Sequence, residues 1–365
     1  MAGSVIFLQK RTHRAGAQTC LARLLRHPRL RPWNPVLVCE DDGWLARTCR
    51  EAGVPVVVIP FPGARTLAGR LWRNEAFAGQ VAGQLRRNGI HPILVHSNDH
   101  WDALLGLTLA RRLHTPTAVF LRSPGMRFED YDKYHCREHD LVIAVGDELQ
   151  QRVQMWDQGR GILLIHDGLE PSEQMPPKPR PPTFPQKVLV LGSPLDWKGW
   201  ADLTEALWRL QKNGHLPHIQ WDFTGERPDP ARNNLHLERL NIGQFQFLGR
   251  VEAFRELVRQ YDLAIQTSWH ESFGMAALET LFAGVPLLST RVGVIEQVLE
   301  APAFLAPPRN PEALAQALRN LIAHWPELDP GVDKAQQLIR ARFLVDHTVD
   351  KLLRAYEETL GLSAG

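Results

Sequence analysis

Seven residues separate Glu271 from Glu279 in the run His270-Glu271-Ser272-Phe273-Gly274-Met275-Ala276-Ala277-Leu278-Glu279. The run leads into a helical pattern that stops at Gly284-Val285-Pro286. This spacing puts the first acid ahead of a glycine turn and the second about one turn inside the helix. Backbone N–H groups around Phe273 to Ala276 then lack helical acceptors, and such a helix start attracts phosphate. Two carboxylates suit sugar hydroxyls, to which they offer strong acceptors. Phosphate and polyol on one ligand describe a nucleotide sugar. A solvated amphipathic helix with two ordinary acids would share the spacing, because glutamate is a good helix former.

A lysine sharpens the reading. Gly192-Ser193-Pro194-Leu195-Asp196-Trp197-Lys198-Gly199-Trp200 joins the apolar run Val188–Leu191 to a helical segment. Lys198 near the start of that helix opposes the helix dipole unless it meets an anion. A phosphate shared by Lys198 and the Phe273–Ala276 amides would satisfy both; an exposed loop lysine is the plainer alternative.

The elements that must position these residues alternate along the chain. Val5–Leu8, Val36–Val38, Val56–Ile59, Ile93–Val95, Ala118–Leu121 and Leu141–Val145 read as buried strands, with helical spacing in Thr19–Arg26 and Trp101–Leu113. Residues 170–187 are so rich in proline that they predict an extended linker. Alternation then restarts with strands at Val188–Leu191, Ile219–Phe223, Phe245–Leu248, Leu263–Ile265 and Pro286–Ser289. Helices are expected at Ala201–Gln211, Phe254–Tyr261, Pro311–His324 and His347–Leu360. The pattern predicts an α/β protein of two doubly wound, Rossmann-like domains, 1–170 and 188–345, with linker 171–187 and a closing helix in 346–365. A ligand is expected in a cleft at the carboxyl ends of the strands.

Other motifs carry less. Gly16, in Arg14-Ala15-Gly16-Ala17-Gln18 after the first strand, would let backbone approach a ligand, but the dinucleotide fingerprint is missing. Asp130-Tyr131-Asp132 has a metal-binding look yet lies in a polar run rather than at a strand end. His135, Cys136 and His139 lack a fourth ligand at a zinc-like spacing. No metal is expected. Asp99 and His100 follow the fourth strand and Arg122 the fifth. By the strand-end rule they, with Trp101, are candidates to contact an acceptor or donor, although His100 could simply cap a helix.

The 365 residues exceed one ordinary core, and 44% apolar with 22% charged residues fits a globular protein. Net charge is +2, but residues 1–90 hold 14 Lys and Arg against 5 Asp and Glu. That imbalance suggests an anionic partner, such as a phosphorylated glycan or a membrane surface touched peripherally. Nucleic acid has charge alone in its favour, with no base-stacking motif. Four scattered cysteines and no 18-residue apolar run lead to the expectation of a cytoplasmic protein with reduced thiols.

Taken in order, these residues resemble the retaining glycosyltransferases of family 4. The strand-G-x5-K-G pattern appears at Gly192–Gly199, and F-L-G-x-V at Phe247-Leu248-Gly249-Arg250-Val251. E-x7-E stands at Glu271 and Glu279, followed by Ala283–Pro286 and Ser289–Glu296. The resemblance implies a GT-B fold, with a C-terminal helix crossing back to the N-terminal domain. It implies transfer of a sugar from a nucleoside diphosphate sugar to a glycan or glycolipid hydroxyl, without metal or other cofactor, in cell-surface polysaccharide or lipopolysaccharide assembly. It gives Glu271 the transferred sugar's hydroxyls and Glu279 the ribose. Lys198, Ser272, Phe273, Gly274, Met275 and, from the other domain, Gly16 receive the diphosphate. Two departures stand out. The family's loop arginine is Ser193 here, leaving Arg250, Arg291 or Arg122 to compensate, and Arg122-Ser123 stands where a histidine is usual. A sugar-nucleotide epimerase and a scaffold without activity share the architecture.

Overall fold

The computed structural model describes residues 3–62, 67–214, 217–231, 235–241 and 243–362. The chain divides into two compact units, Met1–Glu170 with Phe343–Gly365, and Pro171–Arg342.

In the first unit the strands are β1 (Ser4–Gln9), β2 (Val36–Cys39), β3 (Val56–Val58), β4 (Pro92–Ser97), β5 (Thr117–Leu121), β6 (Leu141–Ala144) and β7 (Leu163–Leu164). They form one sheet in the order β3-β2-β1-β4-β5-β6-β7. Among the described residues every strand pairing of this sheet is parallel, with Ile6 opposite Val36 and Val5 opposite Leu94. A parallel sheet covered on both faces needs strands apolar on both sides, and Val5 to Leu8 are fully buried. The helices α1 (Gly16–Arg26), α2 (Trp44–Glu51), α3 (Leu67–Arg87), α4 (Ala103–Leu113), α5 (Phe128–Lys133) and α6 (Asp147–Trp156) fill the crossovers. On one face Phe77, Val81 and Leu85 of α3 join Leu109 of α4 over Ile6, Val38 and Val95.

In the second unit β8 (Lys187–Leu191), β9 (Ile219–Phe223), β10 (Gly243–Phe247), β11 (Leu263–Gln266), β12 (Leu287–Thr290) and β13 (Leu305–Ala306) make a sheet in the order β10-β9-β8-β11-β12-β13. Its helices are α7 (Trp200–Lys212), α8 (Phe254–Val258), α9 (Met275–Phe282), α10 (Pro311–Ala323) and α11 (Val332–Arg342). The proline-rich segment, expected as an extended linker, lies along this unit. Met175 and Lys178 donate backbone N–H to the Phe282 and Gly284 carbonyls, and the Lys178 ammonium meets Asp262 at 3.0 Å. Prolines leave their carbonyls available, and the Trp325 indole N–H donates to that of Pro181 at 2.9 Å.

The last helix, α12 (Val345–Thr359), belongs to the first unit. Val349, Leu352 and Tyr356 are fully buried there, and Tyr356 Oη lies 2.5 Å from His96 Nδ1 of β4. A parallel bridge from Leu169 to Leu344 sets the entry to this helix.

Candidate active site

In each sheet the strand order turns back once: between β1 and β4 in the first unit, and between β8 and β11 in the second. There the connections of neighbouring strands leave toward opposite faces and open a crevice past the strand ends, the usual ligand position in such sheets. In the second unit this crevice brings together the Lys198 and Glu271 turns.

The two turns are stitched by backbone. Asp196–Lys198 forms a single 3-10 turn, and Gly199 leaves it at φ 67°. A Cβ on Gly199 would run into the Thr267 carbonyl, so only glycine permits the approach. Thr267 Oγ1 donates to the Lys198 carbonyl at 3.0 Å, and the Trp269 amide to that of Trp197 at 2.7 Å. A third turn braces the pair from behind. Gly293, at φ 60°, lies against the Phe273 carbonyl, to which the Val294 amide donates at 3.0 Å.

Held this way, Lys198 Nζ sits 2.7 Å from Glu271 Oε1, and Ser268 Oγ donates to the same oxygen at 2.7 Å. The ammonium also lies 4.2 Å from the centre of the Trp197 ring. Both partners are largely shielded, with side chains 17% and 13% exposed, so the pair is screened less than a surface one. An ammonium has three donors and a carboxylate about four acceptor sites, so each retains capacity for a ligand. Lysine and glutamate, expected to meet different parts of a ligand, are direct partners.

Gly274 starts α9 at φ 99° with no side-chain cap and no acid in the first turn. Ala277 donates its N–H to the Gly274 carbonyl at 3.1 Å, whereas the Gly274 and Met275 N–H groups have no acceptor among the described residues and are left to a ligand or water. Ser272 and Phe273 are buried beneath this turn, Met275 is half-buried at the helix start, and Glu279 is half-buried in the second turn.

Ser193 is half-buried beside Gly225, whose missing side chain allows contact: a Cβ there would stand 3.3 Å from Ser193 Cα. Gly225 in turn exchanges both backbone hydrogen bonds with Gly249, at 2.8 and 2.9 Å. Arg250 follows directly and is exposed. Arg291 is engaged elsewhere, 2.5 Å from Glu296. A neighbouring cluster carries no signal in the sequence. The Trp269 indole donates to Asp202 at 2.6 Å, and Arg309 stacks over Trp269 at 4.5 Å while lying 3.3 Å from His270 Nε2. Burial raises the Asp202 carboxyl above the usual range. The residue types are ordinary, and only the stacking reveals the cluster.

First-unit candidates separate into two kinds. Gly16 is the exposed first residue of α1, with open space where a Cβ would stand and no side chain capping the helix. Asp99 is partly exposed. Arg122 and His100, expected at a ligand surface, are instead buried. Arg122 pairs with Asp167, donates to the Asn98 carbonyl at 2.9 Å and lies over Phe120. His100 Nδ1 is 2.6 Å from Asp99. The end of β5 lies deep in the sheet, and a charge carried there needs a partner of opposite sign. Asp130 reaches back to the Arg127 amide at the start of α5, and His139 is buried with Nε2 3.2 Å from the Ala103 carbonyl. Among the described residues no three His, Cys, Asp or Glu side chains assemble into a metal site.

Residues 185–324 match the family model described as glycosyl transferases group 1. The GDP-mannose-dependent alpha-(1-6)-phosphatidylinositol dimannoside mannosyltransferase of Mycobacterium tuberculosis is 31% identical over 101 residues, 28% of this chain. The match spans about a quarter of that relative, 26% of its length. The 2-deoxystreptamine N-acetyl-D-glucosaminyltransferase of Streptomyces fradiae is 23% identical over 350 residues, covering 86% of this chain and 82% of its own. Among solved structures, Anabaena Alr3699/HepE in complex with UDP and glucose superposes with a TM-score of 0.76 at 19% identity, over 97% of this chain and 99% of that one. Residues 185–324 thus resemble the glycosyl transferases group 1 family, and the two parallel-sheet units have the GT-B fold of the structural neighbours.

Proposed function

We propose that this protein is a metal-independent, retaining glycosyltransferase that moves a sugar from a nucleoside diphosphate sugar to a hydroxyl of a glycan or glycolipid in cell-surface assembly. The observation that carries this reading is the half-buried Lys198–Glu271 pair beside the uncapped start of α9. The C1–O bond to the β-phosphate breaks as the bond from the acceptor oxygen to C1 forms on the same face. Lys198 and the amides at Gly274 and Met275 meet the charge growing on the departing phosphate; fixed dipoles of this kind are usually the largest catalytic contribution. That phosphate takes the acceptor hydroxyl's proton, so no separate base is required. Glu271 accepts hydroxyls of the transferred sugar, and Glu279 those of the ribose.

Arg250, which follows the Gly249 that pairs with Gly225, is our candidate for the second positive charge that Ser193 does not supply. Relatives named for GDP-mannose and solved in complex with UDP support a nucleotide-sugar donor here. The basic first 90 residues suit an anionic acceptor or a membrane surface. No helix among the described residues is long and apolar enough to cross a membrane. Buried cysteines without a disulfide fit a reducing, cytoplasmic location.

Calorimetry with UDP, GDP and ADP, followed by nucleotide release from a panel of donors, tests this function. One nucleotide should bind, and Lys198→Ala should cut turnover roughly 100- to 1,000-fold, the usual loss for one donor to a developing anion. Failure of all three nucleotides to bind would make the protein a scaffold. Full turnover in the lysine variant would remove the leaving-group assignment.

A further inference from the structure

The switch point of the second unit holds the lysine site; the first unit has its own, where β1 and β4 lie side by side. Past their carboxyl ends lies a cavity of about 250 Å³ bordered by Lys10, Arg11, Asp99, Trp101, Asp102 and Tyr134. Trp101 is 56% exposed, although ten other tryptophans are available to the chain and Trp33, Trp200, Trp221 and Trp325 are buried. The indole is nonetheless fixed in place. Its ring lies 4.3 Å from that of His100 and meets Tyr134 edge-on at 5.3 Å, and the imidazole is anchored to Asp99. A rigid, half-solvated aromatic face loses little entropy when something covers it.

The polar groups around that face complement it. Asp99 Oδ1 accepts from the His100 amide at 2.7 Å and lies 2.6 Å from its ring nitrogen. The other Asp99 oxygen has no donor among the described residues. Arg11 is exposed and forms no ion pair among them, and Lys10 makes only a long contact with Glu40 at 3.8 Å. Asp102 accepts the Lys10 amide at 2.9 Å, and burial pushes its carboxyl up to about 7, which weakens its claim on the nearby cations. The cavity therefore combines an apolar plate, a carboxylate acceptor and surplus positive charge. A sugar ring offers C–H groups on one face and hydroxyls at its rim, and an acidic substituent would use the cations.

We infer that the first unit binds a saccharide bearing an anionic group, with the sugar ring on Trp101, a hydroxyl at Asp99 and the anion at Arg11 and Lys10. This deepens the proposed reaction, on which it rests for the ligand's role as acceptor; the binding itself is independent of it. Indole N–H signals of the ¹⁵N-tryptophan-labelled full chain test the inference, with Trp101→Phe identifying the Trp101 signal. That signal should move with glucose 6-phosphate at roughly two- to five-fold lower concentration than with glucose, the worth of an exposed charge pair. Inorganic phosphate alone should leave it in place. Arg11→Ala should remove the advantage of the phosphorylated sugar while the glucose response remains.

A Trp101 signal unmoved by either sugar, or moved as far by phosphate alone, would overturn the site. Equal responses to glucose and glucose 6-phosphate would overturn its charged half. Movement only with UDP or GDP would make Trp101 a base-stacking surface instead. The Trp197 and Trp269 signals report the lysine site separately. If nucleotides leave those two unchanged while Trp101 answers to sugar, the transfer reading fails and the saccharide site stands.

Discussion

Asp102 and His139 show how burial sets charge at single residues in the first unit, and they act in opposite directions with pH. Burial holds the His139 imidazole down to about 4 and raises the Asp102 carboxyl to about 7. For Asp102 the folded state binds its proton more tightly than the unfolded chain, whose carboxyl ionises near 4. Its contribution is therefore fully present below about 4 and is lost as pH rises toward 7. Asp102→Asn keeps an oxygen for the Lys10 amide and removes the titration. Urea midpoints should then favour the variant over the parent more at pH 8 than at pH 5. A constant difference would mean that Asp102 keeps its charge in the fold.

At the scale of elements, the lysine site depends on how closely two strand-to-helix turns approach. Gly199 and Gly214 have nearly the same backbone, φ 67° and 65°, but Gly214 faces open space while Gly199 abuts the Thr267 carbonyl. A left-handed backbone alone costs a non-glycine residue about 1–2 kcal/mol. Gly214→Ala should lose about that much in urea unfolding. Gly199→Ala must in addition drive the β8 and β11 turns apart, so a loss of roughly 3–4 kcal/mol is expected, the range of core disruptions. It should abolish nucleotide binding as well. Equal losses in both variants would show that the contact between the turns matters little.

Across the whole molecule, the chain returns to its first unit after completing the second. The Phe343 carbonyl accepts from the Leu169 amide, and α12 then buries Val349, Leu352 and Tyr356 within that unit. Each large side chain removed from such a core costs about 2–5 kcal/mol, against a total stability of about 5–15 kcal/mol. A chain ending at Arg342 should therefore lose the cooperative calorimetric transition of the first unit and keep that of the second. Retention of both transitions would mean that α12 is only an accessory to the first core.

Much of this arrangement follows from local chemistry in the sequence. Apolar runs such as Val5–Leu8 and Val188–Leu191 must be buried strands, because both of their faces are apolar. Gly192–Gly199 and Glu271–Glu279 carry their loop and helix signals within a few residues. Shorter or less patterned elements leave no such signal. β7 and β13 have two residues each, too few for a period, and α3 has small residues where an apolar stripe would be clearer. Tertiary structure decided the partnerships: Lys198 with Glu271 across 73 positions, Arg122 with Asp167 inside the sheet, and Trp101 on a plate made with Tyr134. It also laid the proline-rich segment along the second unit. Strands and turns are set by neighbours in sequence, whereas the partner of a charge or an indole depends on which distant element packs beside it.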